Sequence, residues 1–196
     1  MSAFDTLNDM MINNNGYLTV DMADKANVSR NTLYAFVKDK NLERIARGIY
    51  ITDSTWPDPF YILSLKNNVV FSHETALYLH GMAEREPFQR TVTVRFGYNS
   101  EHLKKQNVKV FTAIDKYYDV GLTKIETIFG NTVPVYDMER TICDIIRNKD
   151  NMDIQVFSYA IKEYMRSKNK NLPQLSRYGK LFGISKKIHT YTEVML

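Results

Sequence analysis

The sequence predicts an α+β fold. An N-terminal three-helix module closed by a β-hairpin is followed by a mixed α/β domain with its helices gathered at the C-terminus. Three observations predict it. Apolar residues recur at helical spacing through residues 7–37, an Arg47-Gly48 step breaks a strand-like stretch at 41–51, and helical stripes return only after Asp137. The 196 residues fit one domain or two small ones, and the Trp56 to Pro59 punctuation divides them into residues 1–55 and 60–196. An apolar fraction of 44% with 24% charged residues excludes wholesale disorder.

The elements follow in order. Leu7, Met10, Met11 and Asn14 mark a first helix that ends at Gly16. Thr19 is placed to cap a short helix over residues 20–25, and Asn27 suits the left-handed turn that follows. Ser29 then caps a helix over residues 30–40, with Leu33, Phe36 and Val37 on one face. Ala23, Asn27, Val28, Leu33 and Phe36 keep the spacing of a helix-turn-helix. The first is small because the helices cross there, the second sits at the turn, and the last three pack the second helix on the first. With the hairpin after it, the module reads as a winged helix-turn-helix.

Further on, residues 68–72, 90–96 and 108–112 read as strands, and residues 122–135 as a hairpin turning at Gly130-Asn131. Ser72 is expected to cap a helix over residues 75–81. Asp137 or Met138 opens a helix that buries Ile142, Ile145 and Ile146, and Val156 to Tyr164 stripes the next. Pro173 starts a third, which Gly183 stops, and Ser185 caps a fourth that carries Ile188, Tyr191 and Met195.

The net charge of +4 is unevenly spread: −1 over residues 1–55, −1 over 56–146 and +6 over 147–196. This asymmetry points to a polyanionic partner. On the second helix of the module, Arg30, Asn31, Thr32 and Tyr34 are placed to read base edges, since Arg suits guanine and Asn adenine. Ser29, Lys38 and Lys40 would hold phosphates, and Arg44 and Arg47 extend the basic surface onto the hairpin. In the tail, Lys162, Arg166, Lys168, Lys170, Arg177, Lys180, Lys186 and Lys187 offer a second contact surface. The same residues also fit a solvated surface, and the module also fits a protein-contact role.

Three segments occur in order: Leu42 to Tyr50 (LERIARGIY), Ser72 to Gly81 (SHETALYLHG) and Val135 to Asp144 (VYDMERTICD). Together they resemble the AbiEi antitoxins of bacterial type IV toxin–antitoxin (abortive infection) systems, over roughly residues 5–150. The resemblance implies a transcriptional autorepressor whose winged helix binds repeats in its own operon promoter. It also implies a C-terminal antitoxin domain that opposes a nucleotidyltransferase-like toxin without a stable complex. By resemblance Arg30, Asn31, Thr32 and Arg47 contact DNA, and Glu139, Arg140, Thr141 and Asp144 match a motif of unspecified role.

Catalytic readings are weaker. His73 and His80 stand seven apart, roughly 10 Å along a helix, too far for one zinc. Cys143 lies among isoleucines, which marks a buried thiol rather than a nucleophile. Asp137, Glu139 and Asp144 would serve a metal-dependent nuclease, the leading alternative. Glu139, Arg140 and Asp144 more simply form a salt-bridge network between helix and sheet. No phosphate-binding glycine loop occurs, so no cofactor and no metal are expected, and the chain reads as a binding protein rather than an enzyme. A module that neutralises a toxin by direct contact is the second alternative. A single cysteine, an acidic start without Lys or Arg and the lack of long apolar runs place the chain in the cytoplasm, away from membranes.

Overall fold

The computed structural model describes residues 2–193 of a mixed α+β chain that divides into two compact units. The first runs to Asn67 and includes Glu126–Thr132; the second comprises Asn68–Ile125 and the chain from Val133 onward.

In the first unit, α1 (Ala3–Asn13) starts at a capping box between Ser2 and Asp5 and buries Leu7 and Met11. Strand β1 (Tyr17–Thr19) follows, and the Thr19 hydroxyl accepts from Met22 N at the start of α2 (Val20–Lys25). Asn27 takes φ +56°, the left-handed turn expected of it. Ser29 then caps α3 (Arg30–Asp39) by accepting from Thr32 N. Ala23, Val28, Leu33 and Phe36 all enter one core with Leu7, Met11 and Leu18. Burying each of the larger side chains contributes about 1.5–3 kcal/mol, so packing rather than propensity sets the helix crossing.

Strands β2 (Glu43–Ala46) and β3 (Ile49–Ile51) join β1 in an antiparallel sheet of order β1-β3-β2. Leu18 and Arg44 both lie opposite Tyr50, and the register shifts between Arg44 and Ala46. Gly48 turns the hairpin at φ +74°, where a Cβ would come within 3.3 Å of Val20 Cγ2. Strand β1 was not expected, because its three residues are all buried and too few to show alternation.

The segment read as a linker leads instead into a helix, α4 (Pro59–Lys66), which extends the unit beyond residue 55. It packs Tyr61, Ile62 and Leu65 against Tyr17, Ile49 and Ile51. Asp58, fully buried, caps it: Oδ1 accepts from Phe60 N and Tyr61 N at 2.9 and 3.1 Å. Its Oδ2 accepts from Thr127 Oγ1 at 2.6 Å and Asn131 Nδ2 at 3.0 Å. The Tyr17 hydroxyl accepts from Asp58 N at 2.7 Å and donates to Trp56 O.

The second unit opens with β4 (Val70–Phe71), α5 (His73–Leu79) and β5 (Arg90–Arg95). Next come α6 (Glu101–Lys105), β6 (Val108–Ala113), α7 (Asp115–Tyr118), β7 (Leu122–Glu126) and β8 (Thr132–Tyr136). The sheet order is β6-β5-β4-β8-β7, with β5 parallel to β6 and β4 antiparallel to β5. Four longer helices follow: α8 (Met138–Arg147), α9 (Ile154–Arg166), α10 (Leu172–Leu181) and α11 (Ser185–Glu193). Ile142, Ile145, Ile146, Phe157, Ile161, Tyr164, Leu175 and Ile188 share their core.

Three local expectations need correction. Ser72 makes no cap bond; its hydroxyl accepts from Thr93 Oγ1, and α5 starts earlier, at His73. Ser185 is the first residue of α11 rather than its cap. The short helices α6 and α7 were unforeseen, being too brief to carry a periodic stripe. Met195 lies outside the described residues. No described helix is long and apolar enough to cross a membrane.

Replacing Asp58 with Ala strands four donors and is expected to lower the stability of the first unit by about 3 kcal/mol. Urea unfolding followed by circular dichroism checks this; an unchanged midpoint would contradict the assigned role of the carboxylate.

Candidate nucleic-acid interface

A cleft of about 640 Å³ opens in the first unit between α3 and the β2–β3 hairpin. Arg30 and Tyr34 come to it from α3, Arg44 and Arg47 from the hairpin, and Lys66 from the end of α4. Asp21 is the one acidic residue on its wall, so the lining side chains carry a net positive charge. The four arginine and lysine heads come from three elements, and the core packing of those elements positions them.

Ser29, Arg30, Asn31, Tyr34, Lys38, Lys40, Arg44 and Arg47 are exposed, and Thr32 is half-buried. Arg30, Tyr34 and Lys38 stand at i, i+4 and i+8 and therefore share a face of α3. Arg30 is held by Asp24 at 3.3 Å, an exposed ion pair worth about 0–1 kcal/mol. The hydroxyls of Ser29 and Thr32 lie 2.8 Å apart, and Ser29 Oγ also caps α3, which commits both to local bonds. Arg44 Nε donates to Ala46 O across the register shift. Lys66 is not among the residues expected from sequence, because residues 60–66 show no period that marks them as a helix and fall beyond the Trp56 to Pro59 linker. The Asp58-Pro59 step, an N-cap followed by proline at the first helical position, is the signal that would have found it.

The basic residues of the tail are spread over three helices. Lys162 and Arg166 share a face of α9, with Arg166 paired to Glu163 at 3.3 Å. Exposed Lys168 and half-buried Lys170 follow, the latter donating to Ser167 O. Arg177 and Lys180 are exposed on α10, where Arg177 donates to Gln174 Oε1, and Lys186 and Lys187 are exposed on α11.

The Glu139 to Asp144 motif is buried in α8, and its connections differ from those expected. Arg140 Nε donates to Asp144 Oδ2 at 2.9 Å, and its Nη1 donates to the carbonyls of Tyr117 and Val120. The guanidinium stacks on the rings of Tyr136 and Phe182 at 4.3 and 4.6 Å. Gly121 makes room for this arrangement: at its φ of +75°, a Cβ would come within 2.6 Å of Arg140 Cβ. Glu139 stands outside the network. Its carboxylate accepts from Tyr164 Oη and Asn171 N, binding α8 to α9 and the start of α10. Thr141 Oγ1 donates to Tyr136 O.

Each carboxylate of the nuclease alternative is thus committed. Asp137 caps α8 and accepts from Tyr178 Oη, Glu139 joins helices and Asp144 neutralises arginines. No three His, Cys, Asp or Glu among the described residues gather as a metal site. Burial pushes the Cys143 thiol up to about 12, so it stays protonated. His80 bonds Tyr136 O through Nε2. His73, buried and stacked on Phe111, has its pKa lowered to about 3 by burial and by the Lys109, Arg140 and Arg147 charges.

Residues 11–52 match a family model described as a transcriptional regulator, AbiEi antitoxin. The resemblance to AbiEi antitoxins therefore holds over a stretch that runs from α1 past β3 and contains the LERIARGIY segment. The segments at 72–81 and 135–144 lie beyond it. No curated protein matches the chain. Among solved structures, the RV2827C protein from Mycobacterium tuberculosis has a similar fold. Its TM-score is 0.56 at 10% identity, over 92% of this chain and 72% of that one.

Two outcomes are expected in the second unit. Arg140→Met leaves Asp144 buried with only Arg147 and should cost about 3–5 kcal/mol in urea unfolding. Arg140→Lys should not restore it, because a lysine cannot serve Asp144 and two carbonyls from one plane. Acid should also destabilise through His73. Between pH 6.5 and 3 the unfolded chain binds a proton that the folded chain refuses, so stability falls as pH drops. About 1 kcal/mol should be lost by pH 5.5. A His73→Gln variant that lost just as much would contradict this source.

Proposed function

We propose that the first unit is a winged helix-turn-helix that binds duplex DNA and represses its own operon. In this reading α3 enters the major groove with Arg30, Asn31, Thr32 and Tyr34 at the base edges, Arg30 favouring guanine and Asn31 adenine. Ser29, Lys38 and Lys40 flank the phosphates, and Arg44 and Arg47 on the wing reach the adjacent backbone or minor groove. Breaking the Asp24–Arg30 pair costs less than the 1–3 kcal/mol that a bidentate arginine–guanine contact is worth. Lys162, Arg166, Lys168, Lys170, Arg177, Lys180, Lys186 and Lys187 add phosphate contacts from the second unit.

The observation that carries the reading is the basic cleft between α3 and the hairpin, whose lining residues apart from Leu65 and Lys66 fall in the stretch that matches the transcriptional-regulator family. The resemblance extends the proposal. The chain is the antitoxin of a type IV pair, acts in the cytoplasm against a nucleotidyltransferase-like toxin without a stable complex, and recognises promoter repeats. It works as a binder rather than an enzyme, its second unit supplying the antitoxin function.

Fluorescence anisotropy with DNA from upstream of its own gene tests this. Log affinity should fall linearly with log salt, at about 0.9 per phosphate contacted. Asn31→Ala should cost about 1–3 kcal/mol at one base pair and relax preference there, whereas Arg47→Ala should weaken all duplexes alike and reduce the slope by about one. Equal affinity for every duplex would remove the sequence readout, and a flat salt dependence would remove the cleft's role.

A further inference from the structure

The second unit contains a pocket of about 410 Å³ that DNA binding does not use, within the range of about 300–1,000 Å³ common for small-molecule sites. His73, Thr93, Phe111, Arg140, Asp144 and Arg147 lie on its wall. His73 sits there at φ +49°, a conformation that residues other than glycine rarely adopt and that persists only where the surroundings enforce it.

A relay sets the state of the imidazole. Thr93 Oγ1 donates to Ser72 Oγ at 2.8 Å, and Ser72 Oγ lies 3.0 Å from His73 Nδ1. The Ser72 hydroxyl proton has Nδ1 as its nearest acceptor, and in the tautomer that uses it the neutral ring carries its own proton on Nε2. No bond among the described residues takes that Nε2–H.

The charges around it favour an anion. Arg140 uses Nε and Nη1 on Asp144 and two carbonyls, which leaves Nη2 out of those bonds. Arg147 reaches Asp144 Oδ1 at 3.4 Å with 48% of its side chain exposed. Lys109 Nζ lies 5.4 Å over Phe111, whose ring stacks on His73 at 3.5 Å. Two arginines on the wall thus face one carboxylate, Lys109 adds a third positive charge felt at His73 from behind Phe111, and the roughly half negative charge at the C-terminal end of α8 does not cancel the excess.

We propose that this pocket binds a small oxyanion ligand, a molecule bearing a phosphate or carboxylate group. Its charge rests against Arg147 and Arg140, one oxygen accepts from His73 Nε2–H, and its body lies along Ile114 and Tyr117. His73 and Arg140 are only 7% and 2% exposed, a depth that favours a small ligand over the phosphate of a duplex.

Titration of the full chain with inorganic phosphate tests this, by calorimetry and by NMR at the His73 ring Nε2–H. Saturable binding with a shift of that proton is expected, and Arg147→Gln, at a half-exposed side chain, should weaken it at least tenfold. Lys124→Gln, on exposed β7, should leave it unchanged. A parallel titration with acetate distinguishes the two anion types, and saturation by either with the His73 shift supports the site. Non-saturating response, or equal response from Arg147→Gln, overturns it. A short duplex that displaces phosphate and shifts His73 itself would assign the pocket to nucleic acid and overturn the small-ligand claim.

Discussion

The first unit depends on one buried carboxylate. Asp58 is excluded from water, yet its two oxygens satisfy four donors and its own N–H binds the Tyr17 hydroxyl. A buried charge is tolerable only when its lone pairs are used in this way. The consequence reaches the candidate interface. Asp58 starts α4 and Tyr17 edges onto Tyr61 at 5.0 Å, so the helix lies along the sheet that carries the hairpin. The last turn of α4 then delivers Leu65 and Lys66 to the cleft. The basic groove is therefore built from behind, by an anion that never touches it.

The second unit solves the same problem with opposite sign. Arg140 is buried against Asp144, two carbonyls and two aromatic faces, and Gly121 gives up its side chain to admit it. Such a cluster is costly to break and specifies one arrangement of α8, α7 and the loop between α7 and β7. It also leaves a positive excess beside His73, which gives the pocket its chemistry.

Where long-range order repeats at a fixed period, the sequence was legible. The apolar spacing from Ala23 to Phe36, the Asn27 turn, the Ser29 cap and the α8 and α9 stripes all follow from local rules and are found in place. Legibility ended where partners are remote. Strand β1 exists through pairing with β3, thirty-odd residues away, and α4 is apolar around its circumference, so neither displays a period. The partners of Asp58 lie 69 and 73 residues further along the chain, beyond any motif. At the candidate interface Arg30, Tyr34, Arg44 and Arg47 were named from sequence. Lys66 and the restraint of Arg30 by Asp24 required the fold.

The central claim is that DNA lies against α3 and the β2–β3 hairpin. Hydrogen exchange of the full chain, with and without a duplex from its own promoter, measures this directly. Protection concentrated in residues 30–51 is the predicted result; protection confined to α9, α10 and α11, with α3 and the hairpin unchanged, would contradict it.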